Sequence, residues 1–345
     1  MSASHFEGGR RRLGASELTV PALGVGTWSW GDTFMWSYGR SHTGDDVGEA
    51  YRASLDAGLD FFDTAEIYGR GESERLLGRC RREDGRPVTI ATKFAPLPAR
   101  RSAATLERAL DGSLRRLGVE RVDLYQIHGP SPLPFLQVDT LMDAMAGAVR
   151  AGKVRAVGVS NYSASLMRRA HARLAGHGIP LASNQVHYSL LHRSPETNGV
   201  LDACRALDVA LIASSPLEQG VLTGKYRTGA ASMPRVRRLA AGFLDRVDPF
   251  GETRGSVSRF RRLLSGSGKL RNERLAPVFD ALEEAARAHG KTIGQVALNW
   301  LVCVDPCVVA IPGAKNARQA RENAGALGWR LSDAEHACIA RAAAG

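Results

Sequence analysis

Cysteine is scarce in this sequence, and the few cysteines are not arranged to hold a metal or a disulfide framework. The 345 residues include five, Cys80, Cys204, Cys303, Cys307 and Cys338, with no Cys-x-x-Cys pair. Cys303 and Cys307 are close together but have no histidine at the spacing of a zinc site. We therefore expect free thiols in a reducing compartment, a cytoplasmic location and no bound metal.

Long hydrophobic segments are also missing. Residues 1–12 contain three consecutive arginines but no apolar stretch of the kind that forms a signal peptide. No run of the chain approaches the roughly 20 apolar residues that cross a bilayer as a helix. The sequence thus predicts a protein without a membrane partner, in which residues 1–12 are flexible.

Two glycine motifs that bind nucleotide phosphates are absent. The Gly-x-Gly pairs at residues 24–26 and 69–71 lack the third glycine of the Gly-x-Gly-x-x-Gly fingerprint. Lys291 and Thr292 follow a glycine, but Ala285 stands where a P-loop requires glycine. These absences argue against an open, doubly wound nucleotide-binding sheet and against a P-loop enzyme.

Acidic residues are too few to balance the basic ones, and the imbalance is local. The formal net charge is +11, and residues 223–275 alone carry thirteen Lys and Arg against four Asp and Glu. Because the remainder of the chain is nearly neutral, we expect no nucleic-acid partner. The segment is either a solvated loop or a basic flap over an anionic ligand such as a dinucleotide phosphate.

What the sequence does contain is a regular alternation of apolar strand segments and helical segments. Each strand segment is followed by a helical pattern, and the unit recurs about every 30 residues. The eight strand segments are residues 22–28, 59–62, 87–94, 121–129, 153–161, 182–191, 209–217 and 307–313.

Strict alternation of this kind predicts the α/β class and a parallel sheet, and eight units that close on themselves form a (β/α)8 TIM barrel. We expect a single domain over residues 1–345. An N-terminal β-hairpin is predicted near residues 13–20, and the basic segment 223–275 becomes a long loop after the seventh strand. A helix that begins after Ser332 closes the chain.

Polar side chains stand at the ends of most of these strands. Because the carboxyl ends of parallel barrel strands meet at one mouth, we expect these side chains to lie together there. The strand-end residues are Asp63, Lys93, His128, Ser160 with Asn161, Gln185, Ser214 and Pro312.

Three of these residues, Asp63, Lys93 and His128, form with Tyr68 a set of four titratable groups that suits one reaction. Tyr68 follows Asp63 into the mouth, and a tyrosine with its ordinary pKa near 10 is a poor proton donor at neutral pH. A nearby Lys93 ammonium would lower that pKa, and Asp63 would hold Lys93. His128 would share the hydrogen bond to a substrate oxygen. A proton donor beside an oxyanion-stabilising group is what carbonyl reduction by hydride requires.

These residues resemble the catalytic tetrad of the aldo-keto reductase family. The pattern consists of Asp63 and Tyr68 in Asp-Thr-Ala-Glu-Ile-Tyr, Lys93 in Ala-Thr-Lys-Phe, and His128 in Asp-Leu-Tyr-Gln-Ile-His. The resemblance extends from about Leu13 to Glu335. It implies a TIM barrel that reduces an aldehyde or ketone, with Tyr68 as the proton donor.

The resemblance also implies an NADPH (NADP+) site without a Rossmann domain. Residues 158–161 and 184–185 resemble the family's nicotinamide contacts, 215–226 its pyrophosphate segment and 311–323 its adenosine-phosphate motif. Lys315, with Arg318 or Arg321, implies NADPH in preference to NADH. The implied cofactor residues are Gly26, Thr27, Trp28, Asp63, Ser160, Asn161, Gln185, Ser214, Pro216, Leu217, Gln219, Gly220, Lys225, Gly313, Ala314, Lys315, Gln319, Glu322 and Asn323.

Two positions depart from the family pattern. Ser214 stands where many members carry a tyrosine that stacks on the nicotinamide, so that platform is either absent or supplied elsewhere. Lys315 and Gln319 differ from the Lys and Arg placement of some better-known members, which bears on the cofactor preference.

Other functions fit part of the pattern. A Schiff-base aldolase also places a lysine at a barrel strand end, and Lys93 would serve. A redox-sensing regulatory subunit would keep the tetrad and bind NADPH but turn over slowly.

Two interpretations remain for Trp28, Trp30, Trp36 and Tyr38, with His187 and His192: these side chains either line an aromatic substrate pocket or pack on the outside of the barrel. The sequence does not specify the substrate or the oligomeric state.

Overall fold

The computed structural model describes residues 9–97, 100, 102–131, 137–226 and 272–344. The predicted basic loop at 223–275 therefore lies mostly outside the described residues, as do residues 1–8. The strands are β1 (Arg10–Arg12), β2 (Thr19–Pro21), β3 (Val25–Gly26), β4 (Phe61–Asp63), β5 (Thr89–Phe94), β6 (Val122–Ile127), β7 (Val154–Ser160), β8 (Leu181–His187), β9 (Ala210–Ser214) and β10 (Val308–Ala310).

Helices follow the barrel strands on the outside, with an additional short helix, α6, between β8 and α7. They are α1 (Gly44–Asp56), α2 (Glu72–Asp84), α3 (Ala104–Leu117), α4 (Val138–Arg150), α5 (Ala164–Ala175), α6 (Ser194–Thr197), α7 (Val200–Leu207), α8 (Asn272–His289), α9 (Ile293–Val302), α10 (Ala317–Ala324) and α11 (Asp333–Ala344). The last begins directly after Ser332, as predicted.

Strands β3 to β10 form one parallel sheet in chain order. Bridges from Leu23 to Ala310 and from Gly26 to Gly313 join its first and last strands. A Cβ atom on Gly26 would lie 2.8 Å from the carbonyl oxygen of Ile311, so only glycine allows this approach. The sheet closes, and the predicted TIM barrel is confirmed.

Two apolar layers hold the barrel together. The larger one packs the outward faces of the strands against the helices. The smaller one fills the barrel interior with side chains such as Phe61, Leu124 and Ile212. Leu13, with Leu18 and Val20 of the N-terminal hairpin, belongs to this interior layer, so the hairpin covers the end of the barrel where the strands begin.

Residues 1–12 were predicted to be flexible, but the last three of them belong to a strand. Arg10–Arg12 form β1, which pairs antiparallel with Thr19–Pro21. The side chain of Arg11 donates to the carbonyl oxygen of Val302 at 2.5 Å and to that of Asp305 at 3.1 Å. Charged side chains thus hold the strand against the last α/β unit, which a reading based on hydrophobicity alone does not detect.

Helix starts show where local sequence determines structure. Thr43 caps α1 and Thr292 caps α9, each with a reciprocal side-chain bond from the third helical residue. Within the part of the chain that the structure describes, no helix is long and apolar enough to cross a membrane.

Candidate active site

The four titratable residues converge where β4, β5 and β6 end. Asp63 is the last residue of β4, Lys93 lies near the end of β5, and His128 follows β6 directly. Tyr68 opens a one-turn 3-10 segment, Tyr68–Gly71, between β4 and α2. The parallel strands therefore bring together the groups that the strand-end pattern predicted.

Lys93 and Asp63 form a buried ion pair. Lys93 is fully buried, and its Nζ donates to Asp63 Oδ1, to the carbonyl oxygen of Thr64 at 2.9 Å and to Tyr68 Oη at 3.5 Å. Asp63 Oδ2 accepts from the side-chain amides of Gln126 at 3.0 Å and Gln185 at 2.9 Å. Because both carboxylate oxygens are satisfied, the pair is held in one geometry.

The charge of Lys93 is retained. Burial alone would lower the pKa of Lys93, but the charge of Asp63 and the hydrogen bonds to Asp63 and Tyr68 outweigh burial and raise it. A lysine that forms a Schiff base must be neutral to attack a carbonyl. This environment does not support the aldolase alternative.

The pKa of Tyr68 differs from the expectation that Lys93 brings it below its ordinary value. Burial, with a smaller contribution from Asp63, raises the pKa, and Lys93 opposes this rise without cancelling it. The physical reason is that a phenolate loses more hydration in this site than one ammonium restores. Tyr68 is therefore protonated at neutral pH, which is the form that donates a proton.

His128 is neutral and faces Tyr68. The two rings meet edge to face, with centroids 5.6 Å apart. Burial and the Lys93 charge lower the pKa of His128 to about 3. Among the described residues, its Nδ1 has no hydrogen-bond partner. This Nδ1 atom is buried, and a buried polar atom without a partner is uncommon in folded proteins.

A cleft of about 380 Å³ opens from Asp63 and Tyr68 and runs along the strand ends. The predicted cofactor residues that line it are Gly26, Thr27, Trp28, Asp63, Gln185, Ser214, Pro216, Leu217, Gln219, Gly220, Lys225, Gly313, Lys315, Gln319, Glu322 and Asn323. Sequence reasoning did not single out Ser29, Thr223 and Gly294, which also line it. The signal for Gly294 is the Thr292 cap, which places the start of α9 at the cleft.

Three predicted cofactor residues do not line the cleft. Ser160 is buried and donates to the carbonyl oxygen of Gln185 at 2.8 Å. Asn161 donates through Nδ2 to the carbonyl oxygen of His128 at 3.1 Å. Ala314 is buried, and its carbonyl oxygen accepts from Trp30 at 2.8 Å. In this structure all three support their neighbours.

The predicted aromatic cluster divides into four parts. Trp28 stacks on Tyr68 with centroids 6.1 Å apart, and Trp36 meets Trp28 edge-on at 5.6 Å. Trp30 is fully buried in the outer apolar layer, which is the packing alternative. Tyr38 packs edge-on against His42. His187 and His192 stack on each other at 4.0 Å and do not line the cleft.

The end of the cleft opposite Tyr68 is cationic. Lys315 Nζ donates to the carbonyl oxygen of Trp36 at 3.1 Å and lies over the Trp36 ring. Gln319 accepts from the backbone N–H of Lys315 at 2.9 Å, and Asn316 caps α10. Arg318, which is exposed, pairs with Glu322 at 3.3 Å. A lysine beside a helix N-terminus is a favourable place for an anion.

No cluster of His, Cys, Asp and Glu that would hold a metal occurs among the described residues.

Comparison with known proteins gives one family. A family model described as the aldo/keto reductase family matches residues 22–344. The chloroplastic pyridoxal reductase of Arabidopsis thaliana is 36% identical over 329 residues, which cover 92% of this chain and 82% of that protein. The L-glyceraldehyde 3-phosphate reductase of Escherichia coli (strain K12) is 31% identical over 329 residues, 92% of this chain and 87% of that protein.

The fold agrees with a solved structure of an aldo/keto reductase from Klebsiella pneumoniae in complex with NADP and acetate. The TM-score is 0.69 at 28% identity, over 94% of this chain and 92% of that one. The model match spans nearly the whole chain, and both curated relatives exceed 30% identity over most of their length. The chain belongs to the aldo/keto reductase family.

Proposed function

We propose that the protein reduces an aldehyde or ketone to the alcohol with NADPH, and that Tyr68 donates the proton. The observation that carries the proposal is the position of Tyr68 at the inner end of the cleft, protonated and within 3.5 Å of the Lys93 ammonium. The Klebsiella pneumoniae relative, which holds NADP, supports the choice of cofactor.

The residues that line the cleft fit a dinucleotide. Gln219 Oε1 is buried there and has no hydrogen-bond partner among the described residues. Lys315 and the start of α10 supply positive charge at the far end for a phosphate. Ser214, Gln219 and Lys225 supply polar groups between that end and the tetrad.

Bound NADPH supplies the hydride. Tyr68 Oη gives its proton to the carbonyl oxygen of the substrate, and neutral His128 presents a ring N–H to the same oxygen. Lys93 then stabilises the phenolate that remains on Tyr68 until a proton from solvent restores it. Asp63, fixed by Gln126 and Gln185, keeps Lys93 charged and in place.

The variant Tyr68→Phe tests this assignment. We expect it to lower the rate of NADPH oxidation in the presence of an aldehyde by about 10²–10⁴-fold, the usual contribution of a positioned proton donor. NADPH affinity should stay within a few-fold, because Tyr68 is only one of the side chains along the cleft. Undiminished turnover in the variant would end the proposal.

A carbonyl panel identifies the substrate class and separates an enzyme from a redox sensor. Pyridoxal belongs in the panel because it is the substrate named for the Arabidopsis relative, and Trp28 and Trp36 at the cleft suit a planar ring. Many turnovers per protein indicate a reductase. A single slow release of oxidised cofactor would favour the regulatory alternative.

Cofactor preference is tested by Lys315→Ala. A charge-assisted contact between Lys315 and the 2′-phosphate is worth about 1.5–3 kcal/mol, so we expect a preference for NADPH of roughly tenfold or more. The variant should raise the KM for NADPH and leave the KM for NADH nearly unchanged. An equal effect on both cofactors would show that Lys315 does not contact the 2′-phosphate.

A further inference from the structure

The loop that leaves β9 has one residue that turns away from the cleft. Ser214, Ser215, Pro216, Leu217, Gln219 and Gly220 all line the cleft, whereas Glu218 between them does not. The side chain of Glu218 is 2% exposed. A buried carboxylate in the middle of a ligand-lining loop requires partners that offset its lost hydration.

Those partners lie at the end of β8, the strand next to β9, and in the residues that directly follow it. Glu218 Oε1 accepts from His187 Nε2 at 2.7 Å and from the hydroxyl of Ser189. Ser189 Oγ in turn accepts from the backbone N–H of His192 at 3.0 Å, and the His192 ring stacks on His187 at 4.0 Å. The carboxylate is therefore anchored in a small polar cluster at the end of β8.

The end of β8 also holds the first residue of the loop, Ser214. His187 is the register partner of Ser214 in the β8–β9 ladder, and the backbone N–H of Tyr188 donates to the carbonyl oxygen of Ser214 at 3.3 Å. The loop thus leaves β9 at Ser214, which is paired with the end of β8, and contacts the end of β8 again through the side chain of Glu218. Residues 215–217 form an arch fastened at both ends to the end of one strand.

The backbone of this loop is strained, although the N–H of Glu218 donates to the carbonyl oxygen of Ser215 at 2.9 Å and the N–H of Gly220 donates to that of Leu217 at 2.9 Å. Ser215, Glu218 and Gln219 have φ values of 52°, 48° and 52°, in the left-handed region that favours glycine. Residues other than glycine stay in that region only when their surroundings hold them. The Glu218 carboxylate is the side-chain contact that fastens this stretch to the barrel.

The charge of the anchor is balanced. Burial alone would raise the pKa of Glu218, but His187, His192 and Ser189 outweigh burial and lower it. Glu218 is therefore ionised. His187 donates the nearest ring hydrogen bond to Glu218 at 2.7 Å, and without it a bare negative charge would lie directly behind the wall of the cleft.

We propose that Glu218 is a positioning residue for the cofactor. Anchored on His187 and Ser189, it holds residues 215–220 in the shape that receives the pyrophosphate, and His187 keeps its charge from repelling that group. The inference rests on the proposed use of NADPH.

The variants Glu218→Ala, Glu218→Gln, His187→Gln and the double variant His187→Gln/Glu218→Gln test it. NADPH is titrated against tryptophan fluorescence, for which Trp28 and Trp36 at the cleft are reporters. We expect Glu218→Ala to raise the Kd about tenfold, as for the loss of hydrogen bonds to a charged group. The kcat at saturating NADPH should stay within about twofold, because the tetrad is not touched.

The two glutamine variants distinguish positioning from general support. His187→Gln leaves Glu218 charged behind the pyrophosphate wall and should weaken NADPH more than Glu218→Gln does. The double variant replaces the hydrogen-bonded imidazole and carboxylate by two neutral amides and should recover affinity relative to His187→Gln alone. This cycle remains decisive if Glu218→Ala fails to fold, because glutamine keeps the size and the acceptor atom.

Glu196→Ala is the matched control. Glu196 is also a part-buried carboxylate after β8, but it accepts its hydrogen bonds from the side chains of Tyr188 and Arg193 and not from residues of the arch. We expect it to lower thermal stability and leave the Kd for NADPH unchanged. Hydrogen exchange should become faster in residues 215–223 of Glu218→Ala and not of Glu196→Ala.

Equal Kd values for the unmodified protein and Glu218→Ala would overturn the inference while leaving the proposed function intact. A fall in kcat at unchanged Kd would overturn it as well. Failure of the unmodified protein to bind NADPH would remove the proposed function, and the inference with it.

Discussion

At the scale of single residues, the protonation of Tyr68 is decided by two opposing effects. Burial raises its pKa, and the ammonium of Lys93, 3.5 Å from the hydroxyl, lowers it. Burial is the larger effect in the structure. Lys93 is nevertheless the group that limits the rise, so its removal has a predictable sign.

Lys93→Met should raise the pKa of Tyr68 further. In carbonyl reduction the basic limb of the pH–rate profile follows loss of the Tyr68 proton, and we expect this limb to move to higher pH in the variant. Asp63 would be left as a buried charge without its partner, which costs about 3–5 kcal/mol of stability. Lys93→Met/Asp63→Asn is therefore the folded control. A basic limb that stays in place in the double variant would show that Lys93 does not act on Tyr68.

The sequence predicted the tetrad because each of its members stands at or just beyond the end of a parallel strand. It did not predict Gln126, whose amide holds Asp63 at 3.0 Å. Gln126 comes two residues before His128 and so points to the same side of β6, which is the signal that was available. The pairing of His187 with Glu218 carries no local pattern, because 31 residues separate them and a strained loop brings them together.

At the scale of secondary-structure elements, the approach of α2 to α3 depends on a glycine. A Cβ atom on Gly78 of α2 would lie 2.5 Å from the carbonyl oxygen of Leu117 and 2.9 Å from that of Arg116. These are backbone atoms at the end of α3, which cannot turn aside as a side chain does. Gly147 of α4, in contrast, has nothing within 4 Å of the corresponding position.

The variants Gly78→Ala and Gly147→Ala should therefore change the free energy of unfolding in opposite directions. Alanine improves helix propensity by about 1 kcal/mol at both positions, and Gly147→Ala should gain up to that amount. Gly78→Ala should lose about 1–3 kcal/mol net of that gain, because α2 and α3 must separate. Urea unfolding followed by circular dichroism measures both. If the Gly78→Ala variant were as stable as the Gly147→Ala variant, α2 and α3 would not be in this close contact.

At the scale of the whole molecule, two buried histidines link stability to pH. Burial is the largest cause that lowers the pKa values of His128 and His192 to about 3. The Lys93 charge adds to it for His128; for His192, the nearby His187 adds to it and Glu218 opposes it. Their pKa values in the unfolded chain are near 6.5. Between these limits the unfolded chain binds more protons than the folded one, so folding is favoured at high pH and loses stability as pH falls below about 6.5.

Each histidine should contribute roughly 1.4 kcal/mol per pH unit to this loss between pH 6 and 4. The free energy of unfolding, measured in urea at several pH values, should fall along this range in the unmodified protein. His128→Gln and His192→Gln should each make the decline shallower, and the double variant should combine the two effects. If the free energy of unfolding did not change between pH 6.5 and 4, both rings would take up protons as readily in the folded protein as in the unfolded chain.

The architecture was more predictable than the contacts. Alternation of strand and helix segments fixes a parallel sheet, and eight units of this length close into a barrel. Arg10–Arg12 were expected to be flexible because three arginines give no apolar signal, yet they pair with Thr19–Pro21. Pairing between strands and charged contacts to distant carbonyl oxygens depend on the assembled barrel.

The first and last barrel strands meet at one seam, and this determines at what point during synthesis the cleft for a dinucleotide is complete. Gly26 and Gly313, which meet at this seam, both line the cleft. A chain still emerging from the ribosome carries the whole tetrad long before it carries β10 and α10. Until those residues are released, one wall of the cleft is missing, so a nascent chain has its reactive groups but no complete place for a dinucleotide. A premature stop before Val308 would leave a fragment with all four residues of the tetrad and without the far, cationic end of the cleft.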